Sequence, residues 1–404
     1  MRMRHGVWLL LGVLLLTWSP ITLANAASVT GRSSTELEWY DTAAGETAVP
    51  FYQYLLLNAR DIDDNGLVFR GYGRVADAFA NDDTIDSRLY YAYLEKEELW
   101  DDLDVRFGRQ FISTTAGTSI MDGLYLDYHD LGPLDVSLFG GGDVTYYEGY
   151  NAEDLIGGMD VSGSFFDGLY LGFSYLQKWD ERDLANELFG LDLNYDWNQA
   201  LDLYSETQFD YLANSVSYFL AGVRYHKNAD WSLRSEYLYS LPVFSSTSIY
   251  SVFAVDEYRE VFVGADLRLA EGVHGFTNYT REMYEEGADA DVVEIGIEKI
   301  RTGRYSGYLS GIVRADPDGQ DLVGFKIYGS AAICPEFQIG AGLNLDVLER
   351  DIDDEEDDTT SSRAWVDGTV TISSKMNVQA KAERVESVLW DEYYRGRVRL
   401  NVRF

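Results

Sequence analysis

The sequence predicts an all-β fold: a single closed antiparallel transmembrane β-barrel of about 22 strands, with counts of roughly 18 to 24 compatible with the pattern. Segments of about ten to fourteen residues alternate apolar and polar side chains from residue 29 onward, separated by turn residues. No run beyond the N-terminal region reaches the ~18 apolar residues that a spanning helix needs. The 30 Tyr and 9 Trp suit interfacial aromatic belts.

The N-terminal residues have the three parts of a secretory signal peptide. Met1–His5 is basic, Gly6–Leu23 is largely apolar, and residues 24–26 form a small-x-small cleavage pattern. We place the cut after Ala26, with Ala27 as the alternative. A retained membrane helix is disfavoured by the cleavage pattern and by Pro20. The predicted organisation is therefore a signal peptide over residues 1–26, Sec export, and a transmembrane barrel over residues 27–404.

The strands follow from the period-two alternation between turn signals, with ends placed to about two to four residues. The predicted strands are 29–40, 50–60, 67–80, 84–95, 102–113, 119–130, 133–147, 155–165, 168–179, 185–197, 200–212, 215–227, 230–240, 257–270, 272–284, 289–301, 304–314, 320–332, 335–349, 362–373, 376–387 and 392–404.

The connections between these segments alternate in length. Outer-membrane barrels have short periplasmic turns and longer external loops, so a chain that starts in the periplasm should have short connections after even-numbered strands. The pattern largely holds, apart from a roomy connection at Lys96–Asp101 and a tight one at Ala213-Asn214. Within the long segment Leu241–Asp256, Ser248–Val255 is a candidate for a further strand or a strand extension.

The sheet must close, because unpaired N–H and C=O groups at an open edge are too costly in hydrocarbon. A barrel of this size is too wide for its own side chains to fill, so its lumen holds water, a plug or a partner. Strands begin directly after the signal peptide, which leaves no room for an N-terminal plug domain.

The same alternation predicts which charged side chains line the lumen. One basic group lies on the third to fifth strands and the last two, which become neighbours when the barrel closes. The predicted basic wall is Arg70, Arg74, Arg88, Arg106, Lys381, Arg395, Arg397 and Arg399. The predicted acidic wall, on the tenth and eleventh strands, is Asp192, Asp196, Asp202, Glu206 and Asp210. Walls of opposite charge would set a transverse field across the channel and favour polar solutes. The alternative is that a wet lumen needs charges and that this grouping has no function.

The last segment, residues 393–404, has one apolar and one densely cationic face. Its apolar set resembles the closing strand, with the barrel-assembly signal, of a Gram-negative outer-membrane β-barrel. That set is Tyr394, Gly396, Val398, Leu400, Val402 and Phe404. The resemblance implies an outer-membrane location, with lipid, lipopolysaccharide and the barrel-assembly machinery as partners.

A second resemblance covers a single hairpin. Val105–Tyr128 contains the sequence FGRQ at residues 107–110 and DGLYL at residues 122–126. This segment is similar to a hairpin of porin-like and alginate-export-type barrels, which implies passive transport without fixing a substrate. Nearby, three consecutive glycines at Gly140–Gly142 lie within a strand and predict a bend or close backbone packing.

Charge and cysteine content exclude several functions. The chain has 32 basic and 68 acidic residues, and without the signal peptide the net charge is −38, because Arg2 and Arg4 are removed. Such acidity excludes nucleic acid as a partner. The single cysteine, Cys334, rules out an internal disulfide and covalent haem attachment, so we predict no cofactor. The acidic run Asp351–Asp358 is read as a solvated loop in preference to a divalent-cation site beside lipopolysaccharide.

Three functions remain. The first is a porin-like channel for passive diffusion of small polar or anionic solutes. The second is a sleeve around a multihaem cytochrome, in a porin–cytochrome complex that carries electrons across the outer membrane. The third is a barrel enzyme, which would need a nucleophile and a base within hydrogen-bond reach. Only His129 or His226, near Ser137 or Ser217, offers such a pair, and no triad converges, so we predict that the protein is not an enzyme.

Overall fold

The computed structural model describes residues 28–404 except 43, 64–65, 81–84, 146–150, 229, 245–255, 286, 318–320, 347–360 and 388–389. Within this part the chain is built from strands and turns, and it contains no helix long and apolar enough to cross a membrane. The long strands are β1 (Ser28–Asp41), β2 (Pro50–Arg60), β3 (Leu67–Ala78), β4 (Arg88–Leu99), β5 (Leu103–Thr114), β6 (Gly117–Leu131), β7 (Leu134–Asp143), β8 (Leu155–Phe166), β9 (Leu169–Asp180), β10 (Asp183–Trp197), β11 (Leu201–Asp210), β12 (Ser215–Asn228), β13 (Trp231–Ser240), β14 (Tyr258–Ala270), β15 (Val273–Tyr284), β16 (Ala290–Lys299), β17 (Tyr305–Ala315), β18 (Leu322–Cys334), β19 (Phe337–Leu345), β20 (Ser362–Ser373), β21 (Met376–Ser387) and β22 (Trp390–Arg403). A two-residue strand, Thr47–Ala48, extends the pairing of β1.

The strands form one closed ring. Each long strand pairs antiparallel with the next, and β22 pairs with β1 from Arg32↔Arg403 to Tyr40↔Arg395. At the end of this seam the backbone N–H of Gly31 donates to Phe404 O (3.1 Å), and the N–H of Phe404 donates to Gly31 O (3.2 Å). The predicted closed antiparallel barrel of 22 strands is thereby confirmed. Closure gives both edges of the sheet a hydrogen-bonding partner.

The strand bounds agree with the prediction except at a few ends. The fourth strand was predicted at 84–95 and lies at Arg88–Leu99, so the roomy connection at Lys96–Asp101 was wrong. The ladder between β4 and β5 shifts register between Lys96 and Leu99, and Glu98 has a positive φ of 54°. Because of this irregularity, Glu97 and Glu98 lie within β4, although acidic residues in succession are typical of a turn. The seventh and nineteenth strands end four residues earlier than predicted.

Some predictions concern residues outside the described part of the chain. These are the signal peptide, the candidate strand Ser248–Val255 and the acidic run Asp351–Asp358. Among the connections, the longest follow odd-numbered strands, such as those between β7 and β8 and between β13 and β14. We call this end of the barrel the long-loop rim and the other end the short-turn rim.

The two faces of the sheet differ in chemistry. On β16, the large apolar side chains Val293, Ile295 and Ile297 are 39%, 62% and 42% exposed, whereas Glu294 and Glu298 lie on the opposite face. Contacts between strands that are distant in the ring occur on this second face; for example, Lys178 of β9 reaches Ser119 of β6. The second face is therefore the concave inner face, and the exposed apolar face is the outer one.

The wall is creased where three glycines meet. Gly108, Gly123 and Gly141 are directly paired on β5, β6 and β7, and all three belong to the inner face. A Cβ on Gly141 would lie 2.6 Å from the Cα of Gly123, and Gly108 has a φ of 128°, a region that favours glycine. The close backbone packing predicted for Gly140–Gly142 is confirmed at Gly141. Between this crease and the long-loop rim, the ends of β5 and β6 leave the wall and turn toward the inside of the barrel.

We expect Gly141→Val to destabilise the barrel by about 1–3 kcal/mol, since its side chain would collide with backbone that cannot move aside. Gly140→Val is the matched control: it is the preceding residue, and its Cβ would meet its nearest neighbour, Ile156 O, at 3.8 Å. Urea unfolding of both variants in lipid vesicles, followed by the heat-modifiable shift on gels, measures the difference. Equal midpoints for the two variants would contradict the role of the crease.

Candidate functional site: the charged inner face

The inner face at the seam is a network of cations around two buried carboxylates. Glu383 of β21 has a side chain only 2% exposed, and it pairs with Lys381 (2.6 Å), Arg363 (2.9 Å) and Arg395. Across the closure, Arg399 pairs with Glu36 of β1, whose side chain is 4% exposed. A buried charge is tolerated when it is paired, so each carboxylate depends on its cations, and the Arg399–Glu36 pair links the last strand to the first.

Arg397 differs from its two neighbours on β22. It is exposed on the inner face, and it forms no hydrogen bond or ion pair with any residue that the structure describes; Glu38 stands opposite it in the register. Its guanidinium is therefore a seam cation that a solute can reach without displacing an ion pair among the described residues. Arg395 and Arg399, by contrast, are committed to Glu383 and Glu36.

A second basic group lies on β3 to β5. Arg70 and Arg106 both pair at 2.8 Å with Glu95, whose side chain is 5% exposed. Arg74 packs over the ring of Tyr52 at 4.9 Å, and Arg88 is opposite Arg74 in the register. All eight residues of the predicted basic wall thus lie on the inner face. Most of them are paired with acidic side chains or tyrosine rings.

Sequence reasoning missed the buried acids within this wall. Glu36, Glu95 and Glu383 each occupy an inner-face position in the register and each contacts cations from neighbouring strands. The alternation that places the arginines on the inner face also places Glu36 and Glu383 there. Two acidic residues at inner-face positions beside a cluster of cations were therefore the signal in the sequence that could have revealed these pairs. Their presence lowers the net positive charge of the wall.

The predicted acidic residues on β10 and β11 also lie on the inner face, and along β10 they alternate with Leu191 and Leu193, which are exposed on the outer face. Asp192 is directly opposite Glu206, and Asp196 is directly opposite Asp202. Such like-charge pairs are unfavourable without compensation.

Compensation differs along this wall. His226 Nε2 lies 3.4 Å from Asp202, Asp196 accepts from the N–H of Gln199 (2.6 Å), and Asp210 accepts from the N–H groups of Leu212 and Ala213. Asp196 and Asp210 therefore stabilise turns at opposite rims. Asp192 and Glu206 lie between them, along the bore.

A hairpin crosses the inner face at the long-loop rim. Its tip, Thr115–Ala116, joins β5 to β6 and reaches the wall of β9 to β11. The N–H of Ala116 donates to Ser174 Oγ (2.7 Å), and Gln208 Nε2 donates to Ala116 O (2.7 Å). Ala116 and Ser174 are both fully buried. The hairpin is therefore anchored to the far wall by hydrogen bonds shielded from water.

Apolar packing fixes the same hairpin, with Val243 from the connection after β13 packed against it. The buried cluster consists of Ile112, Ala116, Met121, Phe139, Ile156, Leu176 and Leu188. Gly190 is required beneath the tip, since a Cβ there would collide with backbone atoms of Thr115 and Ala116. This apolar cluster on the inner face narrows the bore on this side. The sequence predicted a connection here and gave no sign of its inward path.

The residues proposed for an enzyme are engaged elsewhere. Ser137 donates to Asp127 (2.8 Å) and Ser217 to Gln208 (2.7 Å), while His129 lies 3.2 Å from Asp104. Neither serine is bonded to a histidine within the described residues. In the same part of the chain, no three His, Cys, Asp or Glu side chains are placed to hold a metal ion.

Comparisons with known proteins bear on the fold. No protein-family model and no curated protein matches the sequence. The P pilus usher (PapC) translocation pore superposes with a TM-score of 0.52 at 9% identity, covering 93% of this chain and 99% of that one. Pseudomonas aeruginosa OccK11 (OpdR) gives 0.47 at 10% identity, covering 94% and 96%, and OpdQ of the same organism gives 0.47 at 10%, covering 94% and 99%. The usher pore shows that the chain shares the β-barrel fold of that pore.

Proposed function

We propose that this protein is an outer-membrane channel for the passive diffusion of small polar or anionic solutes. The observation that carries the proposal is the inner face: cations at the seam of β20 to β22 and β1 stand half the ring away from the acids of β10 and β11. A field between such walls, focused by a low-dielectric surround, orients dipolar solutes and disfavours apolar ones.

The anchored hairpin supports a channel over a cytochrome sleeve. A sleeve needs a cleared bore for a folded partner, whereas Ala116 and its apolar neighbours occupy part of the bore and are held by buried contacts. A narrowed, charged passage is what a size- and charge-selective pore requires. Most of the cations are paired with acidic side chains or tyrosine rings, and Arg397, exposed and without an ion pair among the described residues, presents its guanidinium to an anionic solute.

We expect purified mature protein in planar lipid bilayers to form open pores with stable ohmic conductance in potassium chloride. Glucose added on one side should cross into the lumen of proteoliposomes that contain the protein and not into protein-free vesicles. Silent bilayers, together with a Soret band in protein purified from native membranes, would reject the channel in favour of the sleeve.

A further inference from the structure

Three aromatic side chains form a continuous platform on the inner face of β17 to β20. The ring centroids of Tyr308 and Tyr328 are 5.8 Å apart, those of Tyr328 and Trp365 are 6.0 Å apart, and the last two planes differ by 13°. All three residues are half-buried. The platform lies away from the hairpin and beside the seam cations.

Glycine in the intervening strand lets the rings lie against the wall. Gly342 of β19 stands between Tyr328 and Trp365 in the register. Atoms Cζ2, Cε2 and Cη2 of Trp365 are nearly equidistant from the point where a Gly342 Cβ would stand, all within 2.5 Å of it. That pattern requires the indole to lie face-down on the glycine, since an edge-on ring would bring one atom much closer than its neighbours. Its opposite face is turned to the lumen.

Polar groups surround the platform. Lys381 Nζ and the Arg363 guanidinium lie over the Trp365 ring, 5.3 and 5.5 Å from its centroid, and both pair with Glu383. Tyr328 Oη donates to Asp367 Oδ1 (3.2 Å). A cavity of about 390 Å³ lies over this surface, lined by the three rings together with Asp367, Gln379 and Arg397. It therefore offers flat apolar faces with hydrogen-bond donors and acceptors at their edge.

We propose that this platform is a saccharide-binding subsite that takes a pyranose ring, with its C–H face on Trp365 and its hydroxyls toward Asp367, Gln379 and Arg397. A pyranose has an apolar face and a rim of hydroxyls that donate and accept, which matches the surface in both respects. An apolar ligand would desolvate Asp367 and Arg397 without compensation, and a small inorganic anion would make no use of the rings. The proposal rests on the proposed channel, since the sugar reaches the platform through the bore.

The test uses maltohexaose, cellohexaose and trigalacturonate as probes on the full-length mature protein. In detergent micelles, we expect saturation-transfer NMR signals from the C–H protons of at least one probe, and in bilayers the same probe should give transient current blockades. Trp365→Ala should weaken binding about tenfold, the equivalent of ~1.4 kcal/mol for a lost stacking face. Phe276→Ala is the matched control, because Phe276 also lies over a glycine, Gly296, on the inner face.

The outcomes separate the two proposals. Binding that is lost in Trp365→Ala and kept in Phe276→Ala supports the subsite. Absence of binding for all three probes, or equal binding by both variants, overturns it whether or not the pores conduct. Failure to conduct without sugar rejects the channel alone, since the NMR measurement does not depend on conduction.

Discussion

Replacing residues 110–121 by Asn-Gly should raise single-channel conductance several-fold. Arg109 and Asp122 are directly paired at the crease and joined by an ion pair at 2.7 Å, so a two-residue type I′ turn can close the shortened hairpin there. The change removes Ala116 and the apolar residues that cross to β9 to β11, and it leaves the lower ladders of β5 and β6 intact. Recordings in planar bilayers measure the effect. Unchanged conductance would mean that the hairpin does not bound the narrowest part of the bore.

A pair of substitutions tests the same constriction without deletion. Gly190→Leu places a side chain where the hairpin tip lies, so the tip should be displaced and conductance should rise. Gly172→Leu, on the neighbouring strand and the same face, would have Asp192 Cβ as its nearest contact at 3.4 Å and adds bulk without touching the tip. Its conductance should stay level or fall. A rise in both variants would point to a loosened barrel instead of a displaced hairpin.

Arg397→Glu should shift ion selectivity toward cations by roughly threefold, because the charge at an exposed inner-face position changes sign. The substitution should cost less folded protein than the loss of a buried ion pair, since Arg397 has no ion pair with the described residues and the new carboxylate only faces Glu38 across the ladder. Reversal potentials in a salt gradient give the permeability ratio. A constant reversal potential would show that Arg397 does not face the ion path.

The two neighbouring arginines should respond differently. Arg395→Glu brings a second carboxylate against Glu383, and Arg399→Glu does the same at Glu36, so both should lose folded barrel. Leaving a buried charge such as Glu36 without its partner costs about 3–5 kcal/mol, and Arg395→Glu should cost less because Glu383 keeps Lys381 and Arg363. The yield of heat-modifiable protein after refolding into vesicles measures this loss. Normal yields with altered selectivity would instead make the paired arginines part of the ion path.

Much of this fold follows from local pattern. In a barrel, each strand is specified by a two-residue period and each connection by turn residues, and both are legible in one sequence. The fourth strand shows the limit, because Glu97 and Glu98 have turn-like composition and the register shift that retains them depends on β5. Local composition alone cannot report such a shift.

The site was predictable in part. The inner-face positions of Arg395, Arg397 and Arg399 follow from alternation. Which of the three are held in ion pairs depends on Glu383 and Glu36 in neighbouring strands. The inward path of Ala116 depends on contacts with Ser174 and Gln208, 58 and 92 residues away. No short-range pattern encodes contacts over that separation. The glycines at the crease show only where the ends of β5 and β6 leave the wall.

The mutual hydrogen bonds of Gly31 and Phe404 have a consequence for the order of events during biogenesis. The first strand has no partner on one side until the last strand reaches it, so the ladder that closes the barrel joins segments more than 350 residues apart in the chain. Pairing between segments so far apart in sequence is slow, and until it occurs the unpaired edge of β1 can pair with another chain. An unclosed chain must therefore be shielded from other unclosed chains until its own last strand pairs with β1.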